Sequence, residues 1–200
     1  MLFKSSVDSL LSPLSTFSQR LPRGRTARVK RPRRQRRWCE SLENRCLLSA
    51  VTVTNSNDET DGDTTSIVAL IANPGTDGAV SLREAILAAN NTPGANDITF
   101  APSLAGQPVL LTQGVIEISN GETITGLGAD KSTVDAQHNP GIFIIDTTLP
   151  VALDGLTLTN SQGDRGAVES IFFGGQLSVS DCAFADNVAA DTYGGGGGAI

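Results

Sequence analysis

One histidine, one tryptophan, one tyrosine, one methionine and three cysteines are all that the 200 residues hold of these types. Cys39, Cys46 and Cys182 cannot all pair, and they form neither a CxxC nor any metal-spaced set, which excludes a fully paired disulfide framework and a cysteine metal centre. No stretch approaches the ~20 consecutive apolar residues that a membrane-spanning helix needs. Basic residues are scarce beyond residue 50: Arg83, Lys131 and Arg165 stand against eighteen acids, a net charge of −15. Such a body repels phosphates, and with few aromatics it has no stacking platform, so a nucleic-acid partner is not expected.

What is present divides the chain in two. Residues 1–50 carry twelve Lys/Arg against Asp8, Glu40 and Glu43, a net charge of +9. Ten of those cations lie between Arg20 and Arg37, in a run broken by Pro22, Gly24 and Pro32, too charged to pack. A disordered basic leader, acting as an export signal, is expected over 1–50, followed by an acidic folded body. An ordinary secretory signal has a short basic region and an uninterrupted apolar one. Here the basic region is oversized, and the apolar stretch 46–53 is interrupted by Ser49 and Thr52.

The segment Leu42-Glu43-Asn44-Arg45-Cys46-Leu47-Leu48-Ser49-Ala50, preceded by the Arg-rich run and Trp38, resembles the LEPR-xLL motif that begins many surface and exported proteins of planctomycete-type bacteria. Asn44 stands where that motif usually has proline. The resemblance implies export to the cell surface, the outer membrane or the medium.

Within the body, Val51-Thr-Val-Thr54 alternates like a short strand. The acidic stretch 55–63 invites a calcium test, because Asn57, Glu59, Asp61 and Gly62 mimic the start of an EF-hand loop. The residue that should be a bidentate Glu is Val68, so a solvated loop with incidental weak cation binding is expected, and no cofactor. Ser81-Leu82-Arg83-Glu84 reads as a capping box. Leu82, Ala85, Ile86 and Ala89 then share one helical face, and Asn90-Asn91-Thr92-Pro93-Gly94 stops it, predicting a helix over 82–90 with Arg83 and Glu84 in capping and surface roles.

Ser81-Leu82-Arg83-Glu84-Ala85-Ile86, with Ala88-Ala89-Asn90 and Asn96-Asp97-Ile98-Thr99-Phe100, is similar to the CSLREA domain, whose cysteine is here Val80. The resemblance covers about residues 51–110 and implies a cap that precedes a β-helix.

From Val109 the chain reads as a solenoid. Apolar runs at 109–111, 115–118, 123–124, 142–145, 151–158, 171–173 and 177–179 are separated by turn residues such as Asn120-Gly121, Gly126 and Asn139-Pro140-Gly141. Ile124-Thr125-Gly126-Leu127 superposes on Leu153-Asp154-Gly155-Leu156 at an offset of 29, and Leu156 and Leu158 on Cys182 and Phe184 at 26. Arg165-Gly166-Ala167-Val168 answers Gly197-Gly198-Ala199-Ile200 at 32. Inexact repeats of this length without helical periodicity predict an all-β fold, a right-handed parallel β-helix over 109–200. The cap of residues 51–108 would cover its open first edge with the short α-helix. Asn160 and Asn187 are expected to form a ladder at one turn, and Cys182 to be a small buried side chain.

Phe184-Ala-Asp-Asn187 and Gly197-Gly198-Ala199-Ile200 also resemble the FxxN and GGAI repeats of chlamydial polymorphic outer-membrane proteins, which are adhesin-like. That likeness, with the glycine-rich end at 194–198, suggests a piece of a longer protein. The expected function is a non-catalytic, exported structural or adhesion-type module with a cell-surface or matrix-glycan partner. The alternative is a polysaccharide lyase or glycosidase, which would need paired carboxylates, or acids beside a base, along one groove. Its candidates are Asp130 with Lys131, Asp135, His138, Asp146, Asp154 and Asp164 with Arg165, none of which repeats at coil spacing. Fold alone licenses no catalytic assignment.

Overall fold

The computed structural model of the protein describes residues 49–171 and 174–190. The Arg-rich run and the export-motif residues Leu42–Leu48 lie outside the described residues, as do Ile200 and the GGAI repeat before it.

The first strand, β1 (Ser49–Val53), buries Val51 and Val53 and exposes Ala50 and Thr52. It pairs in parallel with β2 (Asn96–Phe100), Val51 beside Ile98 and Val53 beside Phe100. Ser49 and Ala50 are therefore the first residues of a strand, and the boundary drawn at residue 50 falls inside it. Between β1 and β2 the chain detours through two helices, α1 (Ile67–Ala72) and α2 (Leu82–Asn90). The second spans the very residues that capping and periodicity predict.

Parallel coils follow. The first contains β2, β3 (Val109–Leu110) and β4 (Ile116–Ile118); the second β5 (Glu122–Thr125), β6 (Thr133–Asp135) and β7 (Phe143–Ile145). The third contains β8 (Val151–Asp154), β9 (Thr157–Thr159), β10 (Gln162–Gly163) and β11 (Val168–Ser170). The fourth runs through β12 (Leu177–Ser180), β13 (Ala183–Ala185) and β14 (Val188–Ala189). Equivalent strands stack into three principal sheets, β1-β2-β5-β8-β12, β3-β6-β9-β13 and β4-β7-β11, with β10-β14 as a small fourth. The fold is a parallel β-helix of about four turns.

Registers explain the core. Inward positions of the first sheet stack Val51, Ile98, Ile124, Leu153 and Val179. Those of the second stack Val109, Val134, Leu158 and Phe184, and those of the third Ile116, Phe143 and Val168. Both pairings expected at offsets of 29 and 26 occur, as Ile124 beside Leu153 and Leu158 beside Phe184.

Four expectations need correction. The run 151–158 is two strands, because Gly155 at φ +64° turns the chain from the first sheet to the second. Of the run expected over 171–173, Ile171 is exposed and follows the strand Val168–Ser170, in which Val168 fills the inward place beside Phe143, and Phe172 and Phe173 lie outside the described residues. Asn160 and Asn187 do not stack: Asn160 takes φ +60° and its amide donates to Asp135 Oδ2, while Asn187 lies one place further on, accepting from the Ser161 backbone. Asn139 and Asn187, two coils apart, each donate an amide N–H to a carbonyl of the preceding coil, Leu111 O at 2.8 Å and Leu158 O at 2.9 Å. Cys182 sits in the corner between β12 and β13 and is half-buried rather than buried, with desolvation raising its thiol pKa.

Candidate functional site

The residues that carry the sequence motif converge where α2 meets the first coil. Ser81 Oγ accepts from the Glu84 backbone at 3.1 Å, and Glu84 Oε2 accepts from the Ser81 backbone at 2.9 Å, completing the capping box. Glu84 goes further. Its other oxygen, Oε1, accepts from the backbone N–H groups of Asp61 and Gly62 at 2.9 and 2.7 Å. Ser81 Oγ donates to Glu59 O at 2.7 Å. One Ser-Glu pair therefore caps the helix and clamps the acidic loop.

Arg83 is not a surface residue, and neither is Glu84; both are buried. Arg83 forms a two-pronged ion pair with buried Asp58, Nε to Oδ1 at 2.7 Å and Nη2 to Oδ2 at 3.0 Å. Its remaining donors reach Gly114 O at 2.6 Å and Val115 O at 3.2 Å, at the entry to β4. Asp58 Oδ2 also accepts from the Gln113 backbone at 2.7 Å. The acidic stretch 55–63 is thus pinned at Asp58, Asp61 and Gly62 rather than being a merely solvated loop. Burial of a guanidinium is tolerated because the planar fork finds a carboxylate and two carbonyls at once.

Leu82, Ala85 and Ile86 are fully buried beneath this polar layer, as is Ala89. At the helix end, Asn90 completes the cap: its amide donates to Glu117 O at 2.8 Å and its oxygen accepts from Ser119 N at 2.8 Å. These are groups that the outer edge of β4 leaves without a strand partner. A single side-chain amide substitutes there for a neighbouring strand, covering the open edge as expected. Replacing both Ser81 and Glu84 with Ala should lower stability by about 2 kcal/mol in a denaturant melt, the upper end for a lost cap because the loop clamp goes with it. Unchanged stability would contradict the clamp.

A second cluster lies at the other end of α2, and the sequence reading passed over it. Glu122 occupies an inward position at the start of β5 and is only 2% exposed. Burial pushes its carboxyl up to about 8, and among the described residues no hydrogen bond or charge offsets that effect. Beside it in register is Asn96 of β2, 1% exposed. The alternation Glu122-Thr-Ile124-Thr carries the signal, since a strand that buries Ile124 buries Glu122 too.

The alternative catalytic candidates are dispersed. Asp135 lies on the second sheet, accepting from Gln137 N and Asn160; Asp154 lies on the first, accepting from Ser180 Oγ at 2.6 Å. Arg165 pairs with Glu169 and, loosely, with Asp164, near a surface groove of about 350 Å³ that Val115, Pro140 and Ile144 also line. A second groove, about 330 Å³, runs between residues 56–59 and Pro108, Leu110 and Thr112. Among the described residues, no three His, Cys, Asp or Glu side chains gather in a metal-binding group. No helix there is long and apolar enough to cross a membrane.

Comparisons with family models, curated proteins and solved structures return no match for this chain. The geometry of the cap and coils therefore carries the functional argument.

Proposed function

We propose that the protein is an exported, non-catalytic surface module of structural or adhesive type, in which a CSLREA-like cap closes the first edge of a parallel β-helix. The observation that carries this reading is the fate of the motif itself. Every polar side chain of Ser81-Leu82-Arg83-Glu84 is consumed in holding helix, loop and β4 edge together, so the motif's chemistry is architectural. Export is supported by the likeness of residues 42–50 to the LEPR-xLL motif, and a cell-surface or matrix-glycan partner by the likeness of Phe184 and Asn187 to adhesin repeats. Of the acids that a glycan-cleaving enzyme would pair, Asp135 and Asp154 stand on different sheets, and Asp130, Asp146 and Asp164 lie in connecting segments.

The full chain should bind cell-surface or matrix glycans without cleaving them, with or without calcium, in a reducing-end assay. Turnover that disappears on Asp135→Asn, Asp154→Asn or Asp164→Asn would overturn the non-catalytic reading. For export, a reporter fused behind residues 1–50 should reach the cell envelope, and replacing Leu47 and Leu48 with Asp should retain it inside.

A further inference from the structure

The buried pair at the C-terminal end of α2 goes beyond the surface-module reading and is independent of it. Asn96 Nδ2 faces three carbonyl oxygens, Ala89 O at 3.0 Å, Thr92 O at 3.0 Å and Gly94 O at 3.3 Å. Only a donor fits there, so the amide orientation is set and Oδ1 faces away. Among the described residues that oxygen has no partner, and neither does either carboxyl oxygen of Glu122 on the adjoining rung. Three buried acceptors without a donor are a large desolvation penalty. One proton on Glu122 removes its charge and relieves two of the three, because a carboxylic acid can donate where a carboxylate cannot.

We propose that Glu122 is held as a neutral acid whose O–H donates to Asn96 Oδ1, and that this bond is a proton-operated latch between the helical cap and the first two coils. When the proton leaves, the carboxylate faces an amide oxygen in a dry site. Relief requires Asn96 to turn its amide toward Glu122, which sets Oδ1 against the three carbonyls and releases the end of α2 and the turn at 92–94. Asn120, whose amide also donates to Ala89 O and Thr92 O, is then the remaining clamp.

Among the described residues, no other charge competes for the site. On β2, Asp97 occupies the outward-facing position beside Asn96; on β8, Val151 adjoins Glu122 and Asp154 faces outward. At the far end of α2, Arg83 and Glu84 are committed to Asp58 and the loop, and Glu117 of β4 is exposed. The sign follows from burial. The closed latch binds its proton more tightly than the open form, so its stabilisation is complete below about pH 4.5 and is lost as pH rises through about 8.

Hydrogen exchange of the full chain over residues 87–96, measured at pH 6 and pH 9.5 and divided by that of Glu122→Gln at the same pH, tests this. Gln keeps the donor and cannot titrate. The wild-type ratio should rise about a hundredfold between the two values, as a shift from 4.5 to about 8 requires. Asn96→Leu should expose the same amides already at pH 6. In wild-type chain labelled with carboxyl-13C glutamate, one glutamate should titrate near pH 8. A parallel pH response of wild type and Glu122→Gln, or titration of every glutamate near 4.5, would overturn the latch. The labelled titration decides the matter even if neither variant folds.

Discussion

Replacing Arg83 with Ala should lower the stability of the protein by about 3–5 kcal/mol, the range for removing one partner of a buried ion pair. The loss exceeds that of a surface charge because three sets of groups lose their partner together. Asp58 would keep a buried negative charge with only the Gln113 backbone N–H against it. Gly114 O and Val115 O would lose their donor at the start of β4. Arg83→Lys should recover only a small part, since an ammonium cannot reproduce the two-pronged contact. Chemical denaturation of the three proteins at neutral pH measures this, and a loss below about 1 kcal/mol for Arg83→Ala would mean that the pair is not formed as described.

Gly126→Ala should destabilise by about 3 kcal/mol, at the upper end for overpacking a core, because backbone rather than a side chain obstructs the new methyl. A Cβ on Gly126 would run into Gly155 O and come within 2.7 Å of Leu156 Cδ2 in the next coil. Gly126 N–H also donates to Asp154 O at 2.8 Å, so the coils cannot part there without losing a bond between them. Gly106→Ala is the contrasting variant. No atom lies within 4 Å of its added Cβ, and only its φ of +77° opposes the change. A smaller loss is expected there, about 1 kcal/mol. Equal losses at the two positions, in thermal or denaturant melts, would show that coil-to-coil contact at Gly126 is not what requires glycine.

The elements legible in the sequence are those whose causes lie close together in the chain. The helix over 82–90 is set by Ser81, Glu84 and four apolar residues within two turns. The stacking of Ile124 on Leu153 showed through a repeated apolar-turn-glycine pattern at one spacing. By contrast α1 was missed: six residues are too few for periodicity, although Ser66 caps it by accepting from Ala69 N. So was β6, where Val134 alone is apolar and the strand exists through its pairing with β3 and β9. The roles of Arg83 and Glu84 were misplaced to the surface because their partners, Asp58, Gly114 and Asp61, are 22 or more residues away, and no local pattern announces them.

The sequence by itself determined that this chain has a helix-bearing cap followed by parallel coils, because alternation, capping and glycine spacing act over a few residues and recur. Tertiary structure alone decided which polar side chains are buried and with whom. Arg83 and Glu122 are both titratable residues on otherwise ordinary elements, yet one finds a carboxylate and two carbonyls while the other is buried with no hydrogen-bond donor among the described residues. That difference arises from the packing of α2 across the open end of the first coil, where water is excluded and each buried donor or acceptor must be matched by a group brought in from elsewhere in the chain.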